Sequence, residues 1–277
     1  MPKNPITFPD GLVEMSDYLK LVKSESFHQI EIFSDEFVEQ TKDILDPYSK
    51  KWVKDPLHQW SRQWEYPYVI GTVNRFTRRN KNVSILDLGS GITFLPYYLK
   101  KNTGIKEIIA LDYDQGLEGL FTKVNRVLKT NVRFIHQDIR ELEKSRKQSL
   151  DFIYCVSVLE HTDQYPSVIK SCHRLLRKGG YLCLTFDISL DGHDDIPVTE
   201  AKKLLGALGR TFKNRDLEKN LDKDFDDVIT SKKISKIDKR LMPWKYPFIN
   251  IVRPALKLKG IGSAYKNLTF CCITVEK

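Results

Sequence analysis

Two glycines and three aspartates have the residue types and spacing of a site for a nucleotide-like molecule. Gly89 and Gly91 closely follow Asp87 at the end of an apolar run, and a helical pattern begins shortly afterwards. Glycine permits a tight turn and lets a ligand approach the backbone, and the next helix offers free N–H groups. Asp112 and Asp138 follow at intervals of 25 and 26 residues. Because carboxylates accept hydrogen bonds and attract cations, these residues predict a polar, partly cationic cofactor.

A parallel sheet would bring these aspartates together. Alternating strand and helix patterns are typical of β-α-β units, and the carboxyl ends of parallel strands meet at one edge, where ligands bind. Strands are predicted at residues 83–88, 107–111, 132–137, 151–157, 181–187 and 268–275, and helices at 95–101, 116–128, 164–176 and 199–208. Helical spacing also covers 12–22, 34–45 and 66–76, with Ser34 as a helix cap and Pro67 as a break.

The glycine loop alone leaves two cofactors open. A dinucleotide site requires a third glycine in the spacing G-x-G-x-x-G, and Phe94 occupies that position. Asp87 is also a poor neighbour for a pyrophosphate, whereas a sulfonium or an amino group would be attracted to its charge. These two observations favour S-adenosylmethionine.

Five segments then occur in an order that resembles class I S-adenosylmethionine-dependent methyltransferases of the small-molecule, type 11 kind. The segments are 86–91, 111–113, 136–139, 151–161 and 175–184. The resemblance implies a Rossmann-like fold and a cofactor cradle made by Asp87, Gly89, Ser90, Gly91, Asp112, Tyr113, Asp138, Ile139 and Val156. In this family the carboxylates after the second and third strands bind the ribose hydroxyls and the adenine amino group. Thr93 departs from the pattern, since many members carry glycine there.

We therefore predict an α/β fold with a doubly wound, mostly parallel seven-stranded sheet. Residues 1–80 are expected to form an N-terminal helical cap, and 81–277 the S-adenosylmethionine-binding domain. Within that domain, residues 228–265 are predicted to be a basic, lid-like insertion.

The N-terminal cap contributes two further cofactor candidates. Arg62 could pair with the methionine carboxylate, and Tyr66 could cover the sulfonium by a cation–π contact. The alternative interpretation is that the aromatic residues of this segment only pack a helix.

Methyl transfer is an in-line displacement that depends on alignment of the reacting atoms. A hydroxyl acceptor also needs a group to take its proton. The candidates are His161, Asp187 and His193, which follow the fourth and fifth predicted strands. His161 could instead shape its loop. His193 lies in a polar, glycine-containing loop, and no metal site is predicted there.

The positive charge is concentrated near the C-terminus. The net charge is +9, and nine basic residues between 232 and 259 are opposed by one acidic residue. This segment could be a lid over a small anionic acceptor, such as a phosphorylated or sugar-linked metabolite. It could also contact an anionic membrane surface or nucleic acid. Pro254 interrupts an amphipathic helix and no nucleic-acid module is recognisable, so the lid is favoured.

The composition bears on the cellular location that is expected for the protein. No apolar run is long enough to span a membrane, no signal core begins the chain, and the five cysteines lack C-x-x-C spacing. We expect a cytoplasmic protein with reduced thiols and leave its oligomeric state open. The predicted reaction transfers a methyl group to a small-molecule hydroxyl and leaves S-adenosylhomocysteine. The alternatives are N-methylation and a non-catalytic cofactor-binding module.

Overall fold

One sheet organises the computed structural model, which describes residues 8–48, 55–78, 82–144, 149–192, 195–242 and 267–277. Its strands are β1 (Gly11–Leu12), β2 (Ser84–Leu88), β3 (Glu107–Asp112), β4 (Arg133–His136), β5 (Leu150–Val156), β6 (Leu176–Ser189), β7 (Ile196–Pro197) and β8 (Leu268–Glu276). The α-helices are α1 (Met15–Val22), α2 (Glu25–Leu45), α3 (Arg62–Thr77), α4 (Leu95–Thr103), α5 (Leu117–Leu128), α6 (Tyr165–Leu175), α7 (Val198–Phe212) and α8 (Ser231–Ile237).

The strand order of this sheet is β1-β8-β6-β5-β2-β3-β4, with β7 paired to β6. Strands β2 to β7 pair in parallel, whereas β8 is antiparallel to both β6 and β1. From β2 the chain adds β3 and β4 on one side of β2, and then β5 pairs with β2 on the other side. A crevice opens at such a switch point, outside the carboxyl ends of the strands. The predicted α/β fold with a mostly parallel sheet is confirmed. Over the described residues this sheet has eight strands rather than seven, and two of them, β1 and β7, are only two residues long.

The central strands are buried on both faces, as continuous apolar strands in parallel sheets usually are. In β2, Ile85 packs with helices α1 to α5 on one face of the sheet. Its neighbour Leu86 packs with α6 and α7 on the other face. Both are almost fully buried. This alternation fixes the register that brings Asp87 to the carboxyl edge beside Tyr154.

The N-terminal region differs from its prediction in three places. Helix α2 begins at Glu25, and Ser24 is its cap, accepting a hydrogen bond from the Phe27 N–H at 3.1 Å. The prediction of Ser34 as a cap is wrong, because the apolar face continues through the helix and Ser34 is buried within it. Helix α3 includes Pro67 rather than beginning near it. Leu12, predicted to be helical, lies in β1 and pairs with Cys271.

The cysteines and the basic segment complete the fold. All five cysteines are buried and unpaired. Among the described residues, no helix is both long and apolar enough to cross a membrane. Helix α8 belongs to the basic segment, but residues 243–266, which include Lys257 and Lys259, lie outside the described residues. The proposed domain limits and the lid stay predictions.

Candidate cofactor-binding site

A cavity of about 680 Å³ lies at the carboxyl ends of the strands. It is the size of a small-molecule site. The structure brings all the predicted cofactor residues to its wall: Arg62, Tyr66, Asp87, Gly89, Ser90, Gly91, Asp112, Tyr113, Asp138, Ile139 and Val156. Their roles in binding stay predictions. The wall also contains residues without a recognisable sequence signal, including Pro56, Gln59 and Thr162.

The glycine loop requires glycine for two physical reasons. Gly89 has φ +71°, a conformation that other residues rarely adopt. A Cβ atom at Gly89 would also lie 2.6 Å from Cγ2 of Val158. The backbone N–H groups of Gly89 and Ser90 both donate to the carbonyl oxygen of Leu111, at 2.9 and 3.0 Å. The loop is therefore fixed against β3 and against the segment that follows β5.

Asp112 links the end of β3 to the same loop. Its Oδ2 accepts a hydrogen bond from the Gly91 N–H at 2.8 Å, and its Oδ1 accepts one from the Asp114 N–H at 3.0 Å. A carboxylate has about four lone-pair sites, so each oxygen can accept a further hydrogen bond. The carboxylate therefore has acceptor capacity left for the predicted ribose contact.

Asp87 is a buried carboxyl group in the cavity wall. Burial raises the pKa of Asp87 to about 8, the adjacent Tyr154 hydroxyl opposes this shift, and the charge of Asp112 adds to it. A cationic ligand would favour the ionised form and lower this pKa. The site therefore fits a molecule that carries a sulfonium or an ammonium group.

Asp138 reaches the cavity already paired with Arg140, a partner that the sequence analysis missed. Arg140 Nε donates to both carboxylate oxygens at 2.9 Å, Nη2 also donates to Oδ2, and the backbone N–H donates to Oδ1 at 2.8 Å. These contacts lower the pKa of Asp138. Any adenine amino group would share the carboxylate with Arg140. The Asp-x-Arg spacing is a weak signal on its own.

Helix α3 supplies a buried polar network at the cavity wall. Arg62 Nη1 donates to Glu65 Oε2 and to Ser157 Oγ, the latter at 2.7 Å, and Ser157 Oγ donates to Glu65 Oε1 at 2.8 Å. Burial opposes the charge of Arg62, yet the adjacent Glu65 keeps its pKa raised. Ser157 was not expected from the sequence. We call these three residues the Arg62 network.

Tyr66 also lies on α3 and lines the cavity. Its ring meets the Phe94 ring edge-on, with 5.2 Å between centroids. Trp64 is fully buried and packs edge-on against Phe8 instead. Of the two aromatic residues, only Tyr66 lies where a cation–π contact with a ligand is available.

The three predicted catalytic residues have different positions. His161 lines the cavity in a 3₁₀ turn, Leu159–His161, and its Nδ1 lies 3.8 Å from Asp195 Oδ1. Asp187 is not part of the cavity wall, and its backbone N–H donates to the buried Glu160 at 3.0 Å. His193 lies outside the described residues.

An ion-paired histidine holds the loop that carries Pro56 and Gln59. His58 Nδ1 is 2.6 Å from Asp55 Oδ2, and its Nε2 is 3.3 Å from Glu31 Oε1 on α2. The hydrogen bond to Asp55 is the main cause that raises the pKa of His58 to about 9. These pairs fasten one wall of the cavity to α2.

Comparison with known proteins identifies the central segment. Residues 86–184 match the family model described as a methyltransferase domain. This segment is a methyltransferase domain. It contains the glycine loop, Asp112, Asp138 and His161, so most of the predicted site belongs to it.

Relatives with assigned activities match part of the chain. The ubiquinone biosynthesis O-methyltransferase of Vibrio atlanticus is 26% identical over 129 residues, which cover 46% of this chain and 51% of that protein. The enzyme of the same name from Coxiella burnetii is 30% identical over 102 residues, covering 37% and 42%. This chain spans about half the length of these relatives.

Solved structures share the fold over a greater length. A candidate sarcosine dimethylglycine methyltransferase from Galdieria sulphuraria is 15% identical, with a TM-score of 0.51 over 76% of this chain and 84% of that chain. The [4+2]-cyclase SpnF is 14% identical, with a TM-score of 0.55 over 88% and 95%. At these identities the likeness shows the fold alone.

The methyltransferase domain and the chemistry of the cavity agree on the cofactor, S-adenosylmethionine. Its sulfonium and ammonium groups match a wall that contains the buried Asp87. Gly89 packs so closely against Val158 that only a residue without a Cβ fits at this point of the loop.

Proposed function

We propose that this protein transfers a methyl group from S-adenosylmethionine to a hydroxyl group of a small molecule. The observation that carries the proposal is one cavity whose wall contains two kinds of residue. The predicted cofactor residues, with the buried carboxyls Asp87 and Asp112, line the same cavity as the polar side chains of Gln59, His161 and Thr162. The O-methyltransferases that match the domain support a hydroxyl acceptor.

The proposed mechanism assigns separate tasks to individual residues of the cavity wall. S-adenosylmethionine supplies an activated methyl group when bound. Asp87 faces the cationic part of the ligand, Arg62 binds its carboxylate, and Asp112 holds the ribose. His161 takes the proton of the acceptor hydroxyl, with Asp195 near its Nδ1. Alignment of the acceptor with the methyl group supplies most of the acceleration, and the proton acceptor adds about 10² to 10⁴-fold.

The acceptor is proposed to be anionic or sugar-like. Of the two arginines that line the cavity among the described residues, Arg62 is assigned to the cofactor carboxylate in this proposal and Arg140 is paired with Asp138. Recognition of an anionic group would therefore depend on the basic segment between residues 232 and 259. In this proposal, residues 228–265 form a lid over the acceptor and residues 1–80 form the N-terminal helical cap. Reversing the charge of Lys257 and Lys259 is then expected to raise the acceptor KM and leave cofactor affinity unchanged.

A second candidate is a function without methyl transfer. The similarity to SpnF, whose name describes a cyclase, supports this alternative because the same architecture is found there. N-methylation of a small molecule is a third possibility, supported by the candidate sarcosine dimethylglycine methyltransferase.

Labelled cofactor separates these candidates. The purified protein is incubated with S-adenosylmethionine carrying a labelled methyl group and a panel of phenols, sugars, sugar phosphates and amines. Labelled ether products that form with wild-type protein and are reduced about 100-fold in His161→Gln support the proposal. Labelled amines as the sole products favour N-methylation. Tight S-adenosylhomocysteine binding without product from any acceptor favours the non-catalytic alternative, and no binding of either cofactor form contradicts all three.

A further inference from the structure

Among the residues that the structure describes, one edge of the Arg62 guanidinium makes no hydrogen bond. The hydrogen bonds of Arg62 to Ser61, Glu65 and Ser157 all come from Nη1. Within the described residues, Nε and Nη2 have none. The side chain is 19% exposed and lines the cavity. Because Nε and Nη2 form the fork that binds a carboxylate through two parallel hydrogen bonds, this edge is available to a ligand.

Glu65 holds the paired side of the Arg62 guanidinium. Glu65 is fully buried and lies three residues further along α3. Both of its oxygens are used, one by Arg62 and one by Ser157. A buried carboxylate with both oxygens occupied has little freedom to move, so it fixes the position of the guanidinium.

Ser157 is the third residue of the Arg62 network, and its backbone conformation is strained. It follows β5 with φ +49°, which is uncommon for residues other than glycine. Its N–H donates to the carbonyl oxygen of Thr185 at 2.9 Å. This conformation places Oγ between Arg62 and Glu65, and strained residues of this kind cluster at functional sites.

We propose that Glu65 and Ser157 are positioning residues that orient Arg62 toward the carboxylate of the amino-acid end of S-adenosylmethionine. The inference rests on the proposed function. In this proposal the bound cation ionises Asp87, and the resulting negative charge repels the carboxylate of the same amino-acid end, so a fixed cationic partner is needed there. Glu65 holds the partly buried guanidinium in place in the free protein, and the open edge of Arg62 supplies the two hydrogen bonds.

Two ligands that differ in the amino-acid end provide the test. S-adenosylhomocysteine has this carboxylate, and 5′-methylthioadenosine lacks the whole amino-acid group. Glu65→Asp retains the charge and shortens its reach, and Ser157→Ala removes Oγ while leaving a residue with the same backbone preference. Both variants should bind S-adenosylhomocysteine at least fivefold more weakly in calorimetry, and 5′-methylthioadenosine within twofold of wild type.

The control is Glu107→Asp, which shortens an ion-paired carboxylate at Arg133, outside the cavity wall. It should change neither affinity. The inference is overturned if Glu65→Asp and Ser157→Ala leave S-adenosylhomocysteine affinity unchanged, or if both ligands weaken equally. Circular dichroism confirms folding of each variant before titration. Failure of wild-type protein to bind S-adenosylhomocysteine would instead contradict the proposed function.

Discussion

The Asp112 carboxylate holds the backbone N–H of Gly91 at 2.8 Å, so the end of β3 directly braces the glycine loop that follows β2. The two strands are neighbours in the parallel sheet. Asp112 is 2% exposed, and its second oxygen accepts the N–H of Asp114. One carboxylate therefore shapes the loop and, in our proposal, also holds the cofactor ribose.

Replacing this carboxylate should reduce both stability and affinity. Asp112→Ala leaves the buried N–H of Gly91 without its partner, which costs about 1–3 kcal/mol of unfolding free energy. Calorimetry should show S-adenosylhomocysteine binding weakened at least about tenfold, equivalent to about 1.4 kcal/mol. Unchanged affinity in a folded variant would contradict the ribose assignment.

Cofactor affinity should increase with pH because of Asp87. The pKa of Asp87 is about 8 in the free protein, so its carboxyl is mostly protonated at neutral pH. A bound cation favours the ionised form, and binding therefore releases a proton. Between pH 6 and 8, S-adenosylmethionine affinity should rise by up to about tenfold per pH unit. Titrations in buffers of different ionisation enthalpy measure this proton release.

The matched variant for this experiment is Asp87→Asn, which keeps the size of the side chain and cannot ionise. Its affinity should be lower than that of wild type at pH 8 and nearly independent of pH. An equally steep pH profile in Asp87→Asn would assign the proton to another group.

Two glycine substitutions should have opposite effects on stability. In Gly89→Ala the new Cβ would meet Val158 at 2.6 Å in a backbone with φ +71°. Overpacking of this kind costs about 1–3 kcal/mol. Gly119 lies in α5 with no atom within 4 Å of its added Cβ. Gly119→Ala should stabilise the helix by up to about 1 kcal/mol. Denaturant unfolding compares the two, and equal effects would contradict the close packing at Gly89.

The ion pairs of His58 should stabilise the protein at low and neutral pH. The pKa of His58 rises from 6.5 to about 9 on folding. Its stabilising contribution is therefore complete below pH 6.5 and is lost as pH rises through 9. His58→Gln should lower the Tm at pH 6 and have a much smaller effect at pH 10. His28→Gln, which removes an exposed histidine of α2, is the control. A Tm difference that does not depend on pH would exclude this ion pair as its source.

Local signals in the sequence were sufficient to place three aspartates at one edge of the sheet. Asp87, Asp112 and Asp138 lie at or just beyond the ends of strands, and parallel pairing brings strand ends to one edge regardless of the details of packing. The start of α2 was harder to predict, because Ser24 and Ser34 have the same capping chemistry. Burial of the face that contains Phe27 and Ile30 decided between them.

The sequence by itself determined the α/β alternation, the glycine loop and the aspartates at the strand ends, because each depends on residue type and short-range spacing. Tertiary structure decided the contacts between distant segments. Ser157 meets Glu65 from 92 residues away, and the pairing of β1 with β8 joins both ends of the chain. No local pattern encodes such contacts, since they depend on how helices pack across the sheet. Packing also excluded Asp187 from the cavity wall and gave Arg62 its orientation.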